Sequence, residues 1–257
     1  MTCFDPADYG GGDWAWEFLR LNQDYVADWR RSVPRHQPCI RLSDGTQLLR
    51  LRRRFPHAEK WGLYSFADPR LCPHKAPVFW YTSAFKRVVR LAARAPKQSG
   101  AARTLADFDV QRRAVIGVDG HPLVLVKGRG LQIPIVIGGL SVLTAPFAPV
   151  FELHGLADLP GQTELLRDLQ RFTGEHPTTT QRPRFTNDER LRLRHALIAL
   201  QASLNGKTYR QIAINIFGEK KVAEEWQGPS QYLKDRTRRL VTKGTELMKG
   251  GYRELLD

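Results

Sequence analysis

The spacing of apolar residues changes partway along the chain, and this change restricts the fold more than any single motif does. Across 112–144 the apolar residues come in short runs, Ala114-Val-Ile-Gly-Val, Leu123-Val-Leu-Val and Leu131-Gln-Ile-Pro-Ile-Val-Ile, separated by Asp119-Gly120 and by Gly128 and Gly130. After Asn187 they recur instead every three or four residues. A period near two builds strands and a period near 3.6 builds helices. Because the two patterns are segregated, the expected class is α+β: N-terminal helices and a β-rich middle, then an all-α end. The three runs predict a β-meander. Pro134, which has no N–H to give a ladder, predicts an edge strand or a bulge in the third run.

Toward the N-terminus, Trp14, Phe18 and Leu21 fall at helical spacing, and Tyr25 and Trp29 continue the seam past Asn22-Gln23. This predicts two short helices or one bent one, with the aromatic rings in a core rather than stacked on bases. From Cys39 to Phe55, Asp44-Gly45 between apolar runs predicts a hairpin, which would put Arg50, Arg52 and Arg54 on one face, either against an anion or simply solvated. Ala84 to Ala95 predicts an amphipathic helix with Phe85, Val88, Val89 and Ala92 on one side and Lys86, Arg87, Arg90 and Arg94 on the other. A short helix is expected over 162–172. The polar, proline-bounded stretch after His176 then divides the chain into a 1–176 regulator-like or oligomerisation body, a 177–186 linker and a 187–257 helical module.

Charge supplies the first functional constraint. The 257 residues carry a formal net charge of +14, distributed as −5 over 1–29, +14 over 30–103, −2 over 104–180 and +7 over 181–257. Such a surface suits a polyanion, because docking releases condensed counterions, although a merely solvated basic surface has the same composition. No run approaches the ~18 apolar residues of a membrane span, and the opening residues lack a secretory layout, so a soluble cytoplasmic protein is expected, nucleoid-associated when bound. Three scattered cysteines, Cys3, Cys39 and Cys72, argue against a disulfide framework. The chain has no GxSxG, HExxH, paired CxxC, P-loop or EF-hand, so neither an enzyme nor a cofactor is expected. His36 and Cys39 with Cys72 and His74 are zinc-compatible residue types, but a proline interrupts each pair and the pattern is common by chance, so no metal is assigned.

The last seventy or so residues are the most informative. Asn187 is placed to cap a helix whose stripe is Leu193, Ala196, Leu197, Leu200 and Leu204, ending at Asn205-Gly206. Thr208 with Gln211 forms a capping box before Tyr209, Ile212, Ala213, Ile216 and Phe217, and Gly218 closes that helix. A third helix begins near Gly228-Pro229-Ser230 and runs to about Met248. At 100° per residue, Leu233, Thr237, Leu240, Val241, Gly244, Leu247 and Met248 share one side. Gln231, Lys234, Asp235, Arg238, Arg239 and Thr242 share the other, with Arg236 and Lys243 flanking the seam. The layout is that of a helix-turn-helix with a long second turn, and its bland counterpart is a three-helix bundle with a solvated basic face.

Four C-terminal segments resemble the DNA-binding domain of RovC-like transcription factors: Thr208-Tyr-Arg-Gln-Ile-Ala, Phe217-Gly-Glu-Lys-Lys-Val-Ala-Glu-Glu-Trp, the run from Ser230 to Leu240, and Met248-Lys-Gly-Gly-Tyr-Arg-Glu-Leu-Leu. Trp14-Ala-Trp-Glu-Phe-Leu-Arg, Tyr25-Val-Ala-Asp-Trp and Phe66-Ala-Asp-Pro-Arg resemble the regulator-like domain that accompanies it. The resemblance implies a bacterial transcriptional activator of type VI secretion genes or of excision and transfer genes in integrative conjugative elements. Its partners would be promoter DNA, further copies of itself up to a hexamer, and RNA polymerase or an antiactivator protein, with no membrane. Helix geometry assigns Lys234 and Arg238 to base edges, together with Gln231 and Thr242 on the same face, and Arg210, Lys220, Lys221, Arg236, Arg239 and Lys243 mainly to phosphates. The aromatic N-terminal helix and the 112–144 sheet are left for self-assembly or contact with a regulator. The alternative is a basic interaction module or antiactivator that binds an acidic regulator instead of DNA.

Overall fold

The computed structural model describes residues 9–32, 38–97, 102–173, 185–226 and 231–256. His36, most of the expected linker and Gly228-Pro229-Ser230 lie outside the described residues. The N-terminal seam forms two helices, α1 (Gly11–Leu19) and α2 (Gln23–Arg31). Asn22 separates them by capping the second: its side-chain oxygen accepts the backbone N–H groups of Asp24 and Tyr25 at 2.8 and 3.3 Å.

The expected hairpin is present as β1 (Cys39–Arg41) and β2 (Gln47–Arg50), antiparallel, with Gly45 at φ 85° in the turn. Strand β2 stops at Arg50, so Arg52 lies in a bend, Arg54 in the irregular stretch that follows, and the one-faced arginine row does not form. Arg54 instead pairs at 2.5 Å with Glu59 of the short helix α3 (Pro56–Glu59).

The helix expected over 84–95 is a strand, β3 (Val89–Arg94), preceded by a 3-10 turn at Thr82–Ala84. Its Val89, Leu91 and Ala93 point inward while Arg90 and Arg94 face solvent. The same string carries both periods, and open pairing slots in the sheet select the strand. The meander follows as β4 (Gln111–Ile116), β5 (Pro122–Gly128) and β6 (Leu131–Gly139), and β7 (Ala148–Glu152) completes the set.

The seven strands run in the order β1-β2-β4-β5-β6-β3-β7, with β2 to β4 and β3 to β6 parallel and the other pairs antiparallel. Strand β6 is therefore interior, against the expectation that Pro134 marks an edge. Pro134 sits opposite Leu125, one residue before β3 begins pairing at Val89 and Ile135, so the missing N–H falls where the next neighbour has not yet started.

Alternate residues go to two cores. Val124, Val126, Ile133, Ile135 and Ile137 pack under helix α4 (Leu159–Gln170), against Leu169 and Phe172. On the opposite face, Leu49, Val115 and Leu123 pack on Phe79. Leu125 joins a third cluster, in which Trp14, Trp16 and Phe18 of α1 meet Ala196, Leu200, Leu247, Met248 and Tyr252 from the C-terminal quarter. Helix α1 is thus a wedge between the sheet and the C-terminal helices. Its rings form core, as the spacing suggests, and the helix is not free for self-assembly. Two hydrogen bonds span the same joint: Asn22 Nδ2 donates to the Met248 carbonyl at 3.1 Å, and the Tyr252 hydroxyl donates to the Trp61 carbonyl at 3.0 Å.

A buried ion pair fixes α1 to the sheet. Lys127 Nζ meets Asp13 Oδ1 at 2.5 Å, both nearly sealed from solvent, and Asp13 Oδ2 accepts the Gly10 N–H that caps the helix. Burial pushes the Lys127 ammonium below its ordinary range, and the Asp13 carboxylate opposes that shift. Cys72 is disulfide-bonded although the scattered cysteines argue against a disulfide framework, and the bond removes it as a zinc ligand, whereas Cys39 is free and exposed.

Candidate nucleic-acid interface

The C-terminal module opens with α5 (Asn187–Leu204). Its cap is Thr186 rather than Asn187: the Thr186 hydroxyl accepts the Glu189 N–H at 3.2 Å, and Glu189 accepts the Thr186 N–H at 2.8 Å. This reciprocal box outcompetes a lone asparagine. Ala196 and Leu200 turn toward α1, while Ala199 and Ala202 turn toward the next helix, so α5 is buried along two faces. Leu204, at the end of the expected stripe, is 46% exposed.

Helix α6 (Tyr209–Phe217) carries the expected box, with Thr208 N–H to Gln211 Oε1 at 2.9 Å. Ile212 and Ala213 are buried, but Tyr209 is 47% exposed, so the apolar stripe begins one turn later than its spacing implies. Arg210 beside it is exposed. Gly218, at φ 88°, ends α6 and immediately starts α7 (Glu219–Glu225), so the long turn of the motif is itself a helix. Val222 locks it into a small core with Ala213 and Leu233. Lys220 and Lys221 stay exposed on its outer side.

Helix α8 (Tyr232–Met248) follows Gln231, whose φ of 45° makes the sharp entry into the helix. Leu233, Thr237, Gly244, Leu247 and Met248 are buried, and Leu240 and Val241 are partly so. Gly244 allows the closest approach: a Cβ there would lie 2.6 Å from the Ala196 carbonyl oxygen and 2.9 Å from Leu200 Cβ. The sealed hydroxyl of Thr237 donates to the Leu233 carbonyl at 2.8 Å. Gln231, Lys234, Asp235, Arg238, Arg239, Thr242 and Lys243 are all exposed.

The ion pairs on this face are long, 3.9 Å for Arg238 to Asp235 and 4.0 Å for Lys243 to Glu246, and between exposed groups, so they hold the cations only weakly. Arg236 differs from its neighbours: it is half-buried, with its guanidinium 4.9 Å from the Phe217 ring centroid. His195 packs on the same ring at 5.9 Å, and burial, then the charges of Arg236 and Arg194, push its pKa below the ordinary 6.5.

The structure brings the expected residues together as one surface on α8, with Lys220 and Lys221 on α7 and Arg210 on α6 as separate exposed cations. Tyr209 and Tyr232 are 47% and 59% exposed: the spacing places Tyr209 in the apolar stripe of its helix, and it assigns Tyr232 to neither side of α8. Among the described residues no group of three or more His, Cys, Asp or Glu side chains could hold a metal ion, and no helix is long and apolar enough to cross a membrane.

A capped helical module that seals one side of its last helix and bares a cationic polar side has the layout of a DNA-binding domain of the helix-turn-helix type. The comparisons agree: residues 155–257 match the family described as "T6SS, Transcription factor, DNA binding domain" (RovC), and residues 5–64 match the proteobacterial transcriptional regulator-like domain. The chain therefore joins a RovC-type DNA-binding domain to a proteobacterial transcriptional-regulator-like domain. No curated protein matches it.

Proposed function

We propose that this regulator is a sequence-specific transcriptional activator that lays α8 in the major groove of promoter DNA. The observation that carries the reading is the division of α8 into a sealed apolar side and an exposed side mixing cations with short polar groups. Phosphates need the cations, and base edges need groups of both hydrogen-bonding senses. Arg238 and Lys234 reach bases, with Gln231 and Thr242 beside them. Arg210, Lys220, Lys221, Arg239 and Lys243 neutralise phosphates. Arg236, braced on Phe217, contributes its charge from the flank. In this reading residues 187–257 form the DNA-reading unit, 1–176 the regulatory and oligomerising body, and 177–186 the connection between them.

One such module gives modest affinity, so the protein acts as a homo-oligomer that engages several half-sites by effective concentration. Strand β7 supports this: it is a sheet edge with Val150 41% and nearby Leu153 49% exposed, the kind of surface that pairing with another copy would cover. The resemblance to RovC-like factors points to type VI secretion or conjugative-element genes as targets, and to RNA polymerase or an antiactivator as protein partners.

Fluorescence anisotropy with a labelled promoter fragment and a random fragment, each at two salt concentrations, tests the reading. Tighter binding to the promoter together with a steep salt slope is expected. Binding to neither fragment would favour a basic module that docks on an acidic protein.

A further inference from the structure

We propose that the cavity between the sheet and α4 is a binding site for a small aromatic carboxylate. The inference concerns a ligand site in the body and does not depend on how DNA is read. The cavity has a volume of about 380 Å³, within the roughly 300–1,000 Å³ of small-molecule sites. Its base is apolar and comes from separate elements: Leu91 of β3, Phe108, Phe147 and Leu169 of α4.

Phe151 of β7 pairs in register with Leu91 and lines the same cavity, yet the residue is 42% exposed. Three phenylalanine rings around one space favour a flat aromatic body over an aliphatic chain, because offset and edge-to-face contacts add to burial.

The polar groups on the wall select the charge of the ligand. Asp107 is already engaged, accepting the Thr104 N–H at 2.8 Å and the Thr104 hydroxyl at 3.1 Å. Arg167, on the exposed side of α4, lines the cavity and forms no ion pair among the described residues. A guanidinium beside an apolar slot matches a carboxylate, which it can bind through two parallel hydrogen bonds. Helix α4, which carries Arg167, Leu166 and Leu169, lies within the 155–257 match, so the ligand would bridge the sheet and the first helix of that region.

The test is isothermal titration calorimetry on the full chain at near-physiological salt, with 1-naphthoate and its uncharged counterpart 1-naphthalenemethanol as probes. The expected result is one naphthoate per chain. Arg167→Gln should weaken naphthoate by about tenfold or more while leaving the alcohol unchanged, and Leu166→Trp, which fills the cavity, should abolish both. No binding of either probe, an unchanged naphthoate affinity in Arg167→Gln, or naphthoate binding that survives Leu166→Trp would each overturn the proposal. Arg167→Gln alters an exposed side chain, so it stays decisive even if the larger residue at 166 prevents folding.

Discussion

Arg113 and Lys127 in the sheet and Arg238 and Lys243 on α8 are the same residue types in opposite circumstances. The first two are 4% and 7% exposed; Lys127 is held by Asp13 at 2.5 Å, and Arg113 donates through Nη1 to the Val78 carbonyl at 3.3 Å without an ion pair among the described residues. The side chains of the second two are 70% and 54% exposed, with partners no nearer than 3.9 and 4.0 Å. Burial sets a cost on a cation that a counter-charge or a hydrogen bond must offset, whereas an exposed cation costs almost nothing and remains available to a polyanion. Net charge therefore does not locate the function of a basic protein. The degree of burial divides its cations between those that hold the fold and those free to meet a partner.

The contrast can be broken most forcefully at Asp13. Asp13→Asn keeps the side-chain shape but leaves Lys127 buried without its counter-charge, and should cost about 3–5 kcal/mol of stability, read from a denaturant midpoint. DNA affinity of the fraction that remains folded should be unchanged. A variant as stable as the parent would show that Lys127 does not need Asp13 to stay buried.

Gly244→Ala probes the sealed side of α8. The added methyl group meets the Ala196 carbonyl and Leu200, and should destabilise by about 1–3 kcal/mol, because the neighbour at 2.6 Å is backbone and yields poorly. Unaltered stability would mean that α5 and α8 can separate freely.

On the bare side, Arg238→Ala should leave the melting temperature unchanged while costing about 1–3 kcal/mol of binding to the preferred site and less on random DNA. Equal losses on both sequences would reassign Arg238 to phosphate.

The smallest effect is expected at His195. Its pKa is lower in the fold than in the unfolded chain, so the folded state binds fewer protons there. Its contribution to stability is present above about pH 6.5 and is lost as the pH falls below that value. Comparing the pH dependence of unfolding with that of His195→Gln should remove a shallow acid-side decline, and an identical profile would count against the assignment.

Parts of this arrangement were legible in the sequence because local chemistry decides them. Thr208 and Gln211 announce a capped helix, Asp44-Gly45 announces a hairpin turn, and the angular spacing of α8 separates Leu233 from Arg238 without reference to any other element. Residues 84–95 show where that logic fails. Val89, Leu91 and Ala93 alternate as a strand, Phe85, Val88, Val89 and Ala92 repeat as a helix, and only the open place between β6 and β7 breaks the tie. Pro134 misled for a related reason: proline is excluded from an interior strand only where a neighbour asks for its N–H, and that neighbour starts one residue later. Tyr209 and Leu204 carried apolar labels, yet among the described residues neither is covered: they are 47% and 46% exposed.

Hydrophobic period, caps and turn residues, all properties of consecutive residues, thus determined the α+β division, the capped helices and the two sides of α8. The tertiary structure alone decided the strand order, the wedging of α1 between the sheet and the C-terminal helices, the pairing of Lys127 with Asp13 across 114 positions of chain, and the cavity beside α4. Those features depend on which surfaces far apart in sequence compete for the same buried space, and local spacing carries no record of that competition.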